Sequence, residues 1–352
     1  MKVVLNDYVE IVNERVDISE ADSNSYVSTD NLLPNRGGVD FPAKNLPKTR
    51  YVQTYKRKDI LISNIRPYFK KIWLASESGT KSNDVLCFRT KNRMLLQEYL
   101  YVVLQSDNFF DYVTRTSKGT KMPRGDKDAI KQYQFDLPDL EEQFKIANSI
   151  LILENKIKLN KAINDNLLEL LNAQYKYLLS KHNLAKVKLS ELCDISAGGD
   201  KPKKISKMKS NENLVPVYSN GTNKDGLYGY TNKAKIFKKA VTISARGTIG
   251  YTVLRTEPFV PIVRLISLQS KGAISAEFLY LLISNLSIQG YGSTQQQITV
   301  PYMKKIVVNI PSLDLINKFQ KEISPLFNQI DRNKRENEQL TNIRNVLLDK
   351  FF

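Results

Sequence analysis

The sequence predicts an α+β chain: two globular domains in pseudo-twofold arrangement, separated by a long antiparallel two-helix coiled coil. Three observations carry this reading. A segment of helical periodicity occurs twice, 173 residues apart, and aligns without a gap. Each copy follows a stretch of mixed strand and helix pattern that also recurs. The positive charge sits on those mixed stretches and not on the helical ones. The boundaries that follow are 1–137 for the first domain, 138–182 for a central helix, 183–311 for the second domain and 312–352 for a C-terminal helix interrupted near Pro325.

The helical copies come first, because internal repeats constrain everything else. Between 138–178 and 311–351, twelve of forty-one aligned positions are identical, including Pro138/Pro311, Leu140/Leu313, Ile157/Ile330, Asn160/Asn333, Asn164/Asn337 and Leu167/Leu340. In the first copy Ile146, Ile150, Leu153, Ile157, Asn160, Asn164, Leu167, Leu171, Gln174 and Leu178 recur at 4,3 spacing. The second copy holds Phe319, Ile323, Leu326, Ile330, Asn333, Asn337, Leu340, Arg344, Leu347 and Phe351 at the same places. Such spacing keeps one stripe facing a partner helix. Asp139 and Ser312 follow prolines and suit helix N-caps, and Asp139 with Glu142 resembles a capping box. Pro325 cannot donate a backbone hydrogen bond, so it is expected to end a short helix near Ile323 and start a long one capped by Ser324.

Connectivity then sets the pairing. The second domain joins the end of one helix to the start of the next, and domain termini tend to lie close together. The helices are therefore expected to run antiparallel, as a rod of about 60 Å. Asn160 and Asn164 would then meet Asn333 and Asn337. A buried asparagine in such a seam sacrifices stability and fixes register.

The globular stretches open alike, MKVVLNDYVEI against AKVKLSELCDI. KDILISNIRP and AVTISARGTIGYTVLRT read as buried strands followed by turns, aligned at Ile62/Ile243 and Ser63/Ser244. LLQEYLYVVLQSDNFFDYV and AISAEFLYLLISNLSIQGY each read as an apolar helix, followed by a loop and a last strand.

Charge separates these segments. Residues 1–140 hold 22 basic and 18 acidic side chains, net +4, and residues 183–311 hold 18 and 7, net +11. The helical stretches are near neutral at +1 each. A basic surface attracts a polyanion, with counterion release as the driving force. Candidate DNA contacts in the first domain are Lys56, Arg57, Arg66, Lys70, Lys118, Lys121 and Arg124. In the second they are Lys201, Lys204, Tyr218, Asn220, Lys238, Arg246, Gln295 and Gln296. Lysines suit phosphates, while arginine, asparagine and glutamine can read base edges. A charge run is also the ordinary appearance of a solvated face.

Other classes lose support. No run approaches the roughly 18 apolar residues of a membrane span, and the N-terminus lacks a signal-peptide core, so a cytoplasmic location is expected. Cys87 and Cys193 have no paired spacing and read as buried structural thiols. His182 is the only histidine, which disfavours histidine-based triads and metal sites. There is no phosphate-binding loop, no glycine-rich dinucleotide turn, no Asn-Pro-Pro-Tyr and no acidic nuclease cluster. A basic coiled-coil scaffold, or an RNA-binding interaction protein, is the alternative reading. It does not need two divergent basic domains.

The opening Pro138, Leu140, Gln143 and Ile146, followed by Leu153, Ile157, Asn160 and Leu167, resembles the repeated helix of the specificity (S) subunits of Type I restriction-modification systems. ILISNIRPYFKKIWLA and YSNGTNKDGLYGYTN with ISARGTIGY resemble that family's target-recognition domains. In the second helix Ile316 replaces the glutamine and Phe319 the isoleucine, which sets the two helices apart as docking surfaces. The resemblance implies a non-catalytic subunit that reads the two halves of a split site in double-stranded DNA. It implies two modification (methyltransferase) subunits on the helices, with restriction subunits joining them, and no membrane. It implies no cofactor in this chain, with S-adenosylmethionine, ATP and Mg in the partners.

Leucine at all four seam asparagines is expected to raise the melting temperature while loosening helix orientation. A lower melting temperature in a thermal scan would count against the register role.

Overall fold

The computed structural model describes residues 1–288 and 297–352. The chain divides into two compact units, Met1–Lys158 with Asn337–Phe352, and Leu159–Glu336. Each unit thus consists of one globular domain and a stretch of each long helix. Among the described residues no helix is long and apolar enough to cross a membrane.

In the first unit, ten strands occur among the described residues: β1 Lys2–Val4, β2 Val9–Ile11, β3 Arg15–Asp17, β4 Tyr26–Val27, β5 Tyr51–Tyr55, β6 Ile60–Ser63, β7 Ile72–Leu74, β8 Gly79–Lys81, β9 Val85–Thr90 and β10 Gln134–Asp136. One sheet has the order β2-β9-β6-β7 and is antiparallel throughout. A second has the order β3-β5-β8-β4, with β4 and β8 parallel. β1 and β10 pair with each other, Val3 opposite Phe135. The period-2 pattern explains why β6 is buried on both faces. Ile60 and Ile62 pack with Phe88, Leu100 and Phe110, whereas Leu61 packs with Tyr55, Val85 and Cys87. The central sheet is therefore a middle layer. The expected single apolar helix is two, Gln97–Gln105 and Asp107–Arg115. Ser106 divides them, and its hydroxyl accepts the Phe109 N–H at 3.2 Å.

The second unit repeats the plan with β11 Ala185–Lys188, β12 Cys193–Ala197, β13 Val215–Tyr218, β14 Leu227–Thr231, β15 Ala240–Ile243, β16 Thr252–Arg255, β17 Val260–Pro261, β18 Ile266–Ser270 and β19 Val307–Ile310. The order β12-β18-β15-β16 matches β2-β9-β6-β7, and β11 pairs with β19 as β1 does with β10. The remaining sheet differs. It is β14-β13-β17, against four strands in the first unit. The shared sheet is the part that carries the helix-facing core, with Val241, Ile243, Ile266 and Leu268 against Phe278 and Leu282.

The central helix spans Leu140–Lys181, and Asp139 caps it by accepting the Glu142 N–H at 2.8 Å. The C-terminal helix spans Leu313–Phe351 without a break. This corrects the expected interruption near Pro325. Ile323 and Phe327 on either side of it are buried in one apolar cluster, together with Phe319 and Ile330. Continuing the helix keeps all four on one face. A mid-helix proline costs about 3 kcal/mol, and burying each of these side chains returns roughly 1.5–3 kcal/mol. Lys321, whose carbonyl loses its helical partner, is exposed, so water can satisfy it.

The seam falls where the 4,3 spacing places it, and the pairing is antiparallel within each unit. In the second unit Asn333 donates to Asn164 Oδ1 at 2.8 Å, Asn164 donates to the Ile330 carbonyl at 3.3 Å, and Asn160 donates to Glu336 at 2.7 Å. In the first unit Asn337 donates to the Ile157 carbonyl at 3.5 Å, and Arg344 meets Glu154 at 3.4 Å. Residue numbers rise on one helix as they fall on the other. Of the four asparagines, Asn164 and Asn333 bond directly to each other across the seam of one unit.

Gln143 has a structural task. It is fully buried, accepts the Leu96 N–H at 2.9 Å, and donates to the carbonyls of Met94 and Pro138, both at 2.9 Å. Leu96 is the N-cap of helix Gln97–Gln105, so the glutamine satisfies a donor which that end leaves open. The second helix has Ile316 at the aligned position, yet the tie between helices survives. Gln320, one turn further on, accepts the N–H of Ser275, the N-cap of helix Ala276–Ser284. Loss of the motif glutamine is thus compensated from the next turn. Gln143→Ala should lower the unfolding free energy by about 2 kcal/mol, because three partly buried backbone groups lose partners. Gln320→Ala should cost about 1 kcal/mol. Urea titrations that rank the two variants the other way would reject this account.

Candidate nucleic-acid interface

In both units the turn that leaves the middle strand meets the loop that precedes a short helix. In the first unit the Arg66 N–H donates to the Pro123 carbonyl at 2.8 Å, and the Gly125 N–H to the Asn64 carbonyl at 3.1 Å. Lys118 and Arg124 exchange backbone hydrogen bonds of 2.8 and 2.9 Å, closing the loop on itself. Glycine at position 125 leaves room for close packing, since a Cβ there would stand 2.7 Å from Asn64 Oδ1 and 2.9 Å from Val113 and push those side chains aside. In the second unit the Ile298 N–H donates to the Ala245 carbonyl at 3.0 Å, and Arg246 donates to the Gln297 side chain at 3.1 Å. An arginine therefore stands at the same loop junction in each unit. Gln295 and Gln296 lie outside the described residues.

Arg66 and Lys70 both have φ of 51°, flanking the turn Pro67–Phe69. This left-handed pair projects Tyr68 and Phe69 outward, 47% and 39% exposed, with ring centroids 4.7 Å apart. Two large exposed rings in the turn whose Arg66 bonds the loop carrying Lys121 and Arg124 make a surface suited to both phosphates and bases. Sequence reasoning misses the rings, because the apolar pattern of ILISNIRPYFKKIWLA reads as strand and turn. The signal is the proline, which opens the turn that carries both rings.

The other candidates separate into distinct roles. Lys70 and Arg36 both bind Asp107, the former at 2.8 Å. Partial burial works to raise the Asp107 pKa, but these two cations outweigh it and the carboxyl titrates below its ordinary value. Lys118 pairs with Asp126 at 2.6 Å and Arg124 with Asp84 at 3.2 Å, both at the surface and therefore readily exchanged for phosphate. Lys121 is exposed. Lys56 and Arg57 lie before β6 whereas Arg66 lies after it, so the strand holds these clusters apart. The same holds for Lys238 and Arg246 about β15.

In the second unit, Lys201 caps the Tyr228 ring at 4.5 Å, and Lys204 accepts the Thr231 hydroxyl on its carbonyl at 2.7 Å. Tyr218 is a packing residue. Arg255 covers its ring at 3.6 Å, Phe259 meets it edge-on at 5.8 Å, and burial pushes its hydroxyl up to about 12. Asn220 is a brace, accepting the Ala245 N–H at 2.7 Å and donating to the Val263 carbonyl at 2.5 Å. It thereby positions the backbone next to Arg246. Both thiols are buried, and burial pushes Cys193 up to about 12 and Cys87 higher still, which leaves both unreactive.

This doubled arrangement agrees with comparisons to known proteins. The family model described as the Type I restriction modification DNA specificity domain matches twice, over residues 5–169 and 181–344. The chain belongs to this family. A putative type I specificity subunit of Mycoplasma pneumoniae is 31% identical over 215 residues, 58% of each chain. Another from the same organism is 31% identical over 144 residues, 41% of this chain and 42% of its own. The chain thus aligns with about half the length of these relatives. The HindI specificity subunit of Haemophilus influenzae is 21% identical, with 98% of this chain and 97% of that one covered. The crystal structure of the S subunit from M. genitalium shares the fold, with a TM-score of 0.60 at 16% identity over 100% of this chain and 96% of that one.

Alanine at Arg66, Lys121 and Arg124 together should weaken duplex DNA binding at least tenfold. It should also flatten the log–log salt dependence by about 1 for each phosphate no longer neutralised. Lys70→Ala should leave affinity intact and cost about 0.5 kcal/mol of stability. Unchanged DNA affinity in the triple variant would remove this surface from consideration.

Proposed function

We propose that the chain is a non-catalytic subunit that reads a bipartite target in double-stranded DNA, one half-site per domain, while its helices dock modification subunits and set the spacer. One observation carries this reading: the loop junction with its arginine recurs in both units, while the segments around it diverge in charge and sheet composition. Two heads of common descent with different surfaces suit two different half-sites.

The helices offer the docking surface. In the first unit Phe144 and Ile152 are exposed on the central helix, and in the second unit Leu159, Ile163, Leu170 and Tyr177. These are large apolar side chains outside the seam, the latter four at spacings of four and seven residues. Partner helices are their natural cover. Methyl transfer from S-adenosylmethionine, and ATP- and Mg-dependent work by restriction subunits, would then belong to the partners.

Co-expression with a Type I modification subunit, followed by genome-wide mapping of N6-methyladenine, should reveal a split motif with a fixed spacer. No sequence-specific methylation would falsify the reading and favour a basic scaffold or RNA-binding protein. One added heptad in each helix should lengthen the spacer or abolish methylation. An unchanged spacer would exclude the helices as its determinant.

A further inference from the structure

One position of the repeat is built in opposite ways in the two units. In the first, Tyr101 donates to Glu154 at 3.2 Å, and Glu154 meets Arg344 at 3.4 Å. The side chains of Arg344 and Glu154 keep only 8% and 17% of their exposure. In the second, Tyr280 packs edge-on against Phe327 at 5.9 Å, in the apolar cluster that holds Leu171. The gapless alignment pairs 154 with 327 and 171 with 344. Tyr101 and Tyr280 each lie five residues after the N-cap of their helix. So the same three-way contact is a tyrosine with a buried ion pair in one unit, and a tyrosine with two apolar side chains in the other.

Of the other nine seam pairs six are identical, and the three that differ, Ile146/Phe319, Gln174/Leu347 and Leu178/Phe351, are all uncharged. Ile150/Ile323, Leu153/Leu326, Ile157/Ile330, Asn160/Asn333, Asn164/Asn337 and Leu167/Leu340 are identical pairs. Arg344 is the one charged residue among the ten seam positions of either copy. A central helix could therefore pair with the central helix of a second chain almost as well as with its own C-terminal helix. Duplicated elements of this kind exchange between chains at low cost.

We propose that residues 154, 171, 327 and 344 form a pairing code that joins the two unlike halves of one chain and rejects a like half from another copy. In an exchanged pair of central helices, Glu154 faces Leu171 of the second chain. In an exchanged pair of C-terminal helices, Arg344 faces Phe327. Each exchange strands a charged side chain in a buried site without its partner, which is far costlier than a buried pair. Burial already pushes the Glu154 carboxyl up, and Arg344 is the cation that opposes this. Removing Arg344 leaves the carboxyl with the uncharged Tyr101 hydroxyl and Gln105 amide.

The code can be rewritten without changing composition. Leu171→Arg with Arg344→Leu mismatches both sites within a chain, but matches them when two chains exchange helices. Refolding from denaturant over a range of concentrations, with mass read by light scattering, should return the unaltered chain as single chains. The two-residue exchange should return a species of doubled mass. Adding Glu154→Phe and Phe327→Glu rematches the sites within one chain and should restore the single-chain mass. The proposal is overturned by an unaltered chain that itself forms two-chain species, or by an exchange variant that stays single-chain with a native spectrum. It is equally overturned by an exchange variant that misfolds and is not restored by the two added substitutions.

Discussion

Everything in this fold depends on the antiparallel register of two long helices. Each globular domain closes its core against a stretch of both helices, so a slip of one residue in the seam would turn Ile150, Leu171, Ile323 and Ile330 out of cores they help to build. The register is fixed by polar contacts that tolerate little displacement. Asn164 and Asn333 bond to each other and to groups within one turn, and Arg344 finds Glu154 only when the helices are aligned. Apolar layers alone would let the helices slide at lower cost. The domains inherit that precision through Gln143 and Gln320, which tie the first turn of a domain helix to the long helix beside it.

The repeat, the seam and the paired β plan are legible because they depend on periodicity and on local capping chemistry, which a sequence displays directly. The seam positions are buried or half-buried as the spacing requires. Three features are not legible. Pro325 carries a local penalty, but its neighbours Ile323 and Phe327 gain more from a continuous helix than the missing hydrogen bond costs. The single helix expected over residues 95–113 is divided by Ser106, whose hydroxyl serves as a cap, and no periodicity break announces it. The apparent loss of the motif glutamine at Ile316 is real in the alignment but not in space, because Gln320 reaches the same kind of donor from the following turn.

The interface is legible in charge and less so in detail. Net charge singles out the globular domains, but a count of cations cannot tell a free side chain from one already committed. Lys70 serves Asp107, Tyr218 is held under Arg255, and Asn220 braces a turn. Those roles arise from long-range contacts that composition does not encode. Tyr68 and Phe69 are hidden for the converse reason. Their apolar character suggests a core, and only the left-handed backbone at Arg66 and Lys70 turns them outward.

The pairing of β1 with β10, and of β11 with β19, has an evolutionary consequence. Each domain enters and leaves through two strands hydrogen-bonded to each other, directly before a long helix begins. A recombination event that replaces everything between such strands needs to match only one short ladder and one helix cap. New recognition surfaces can therefore be acquired by wholesale replacement of a domain, while the helices and their register are left untouched.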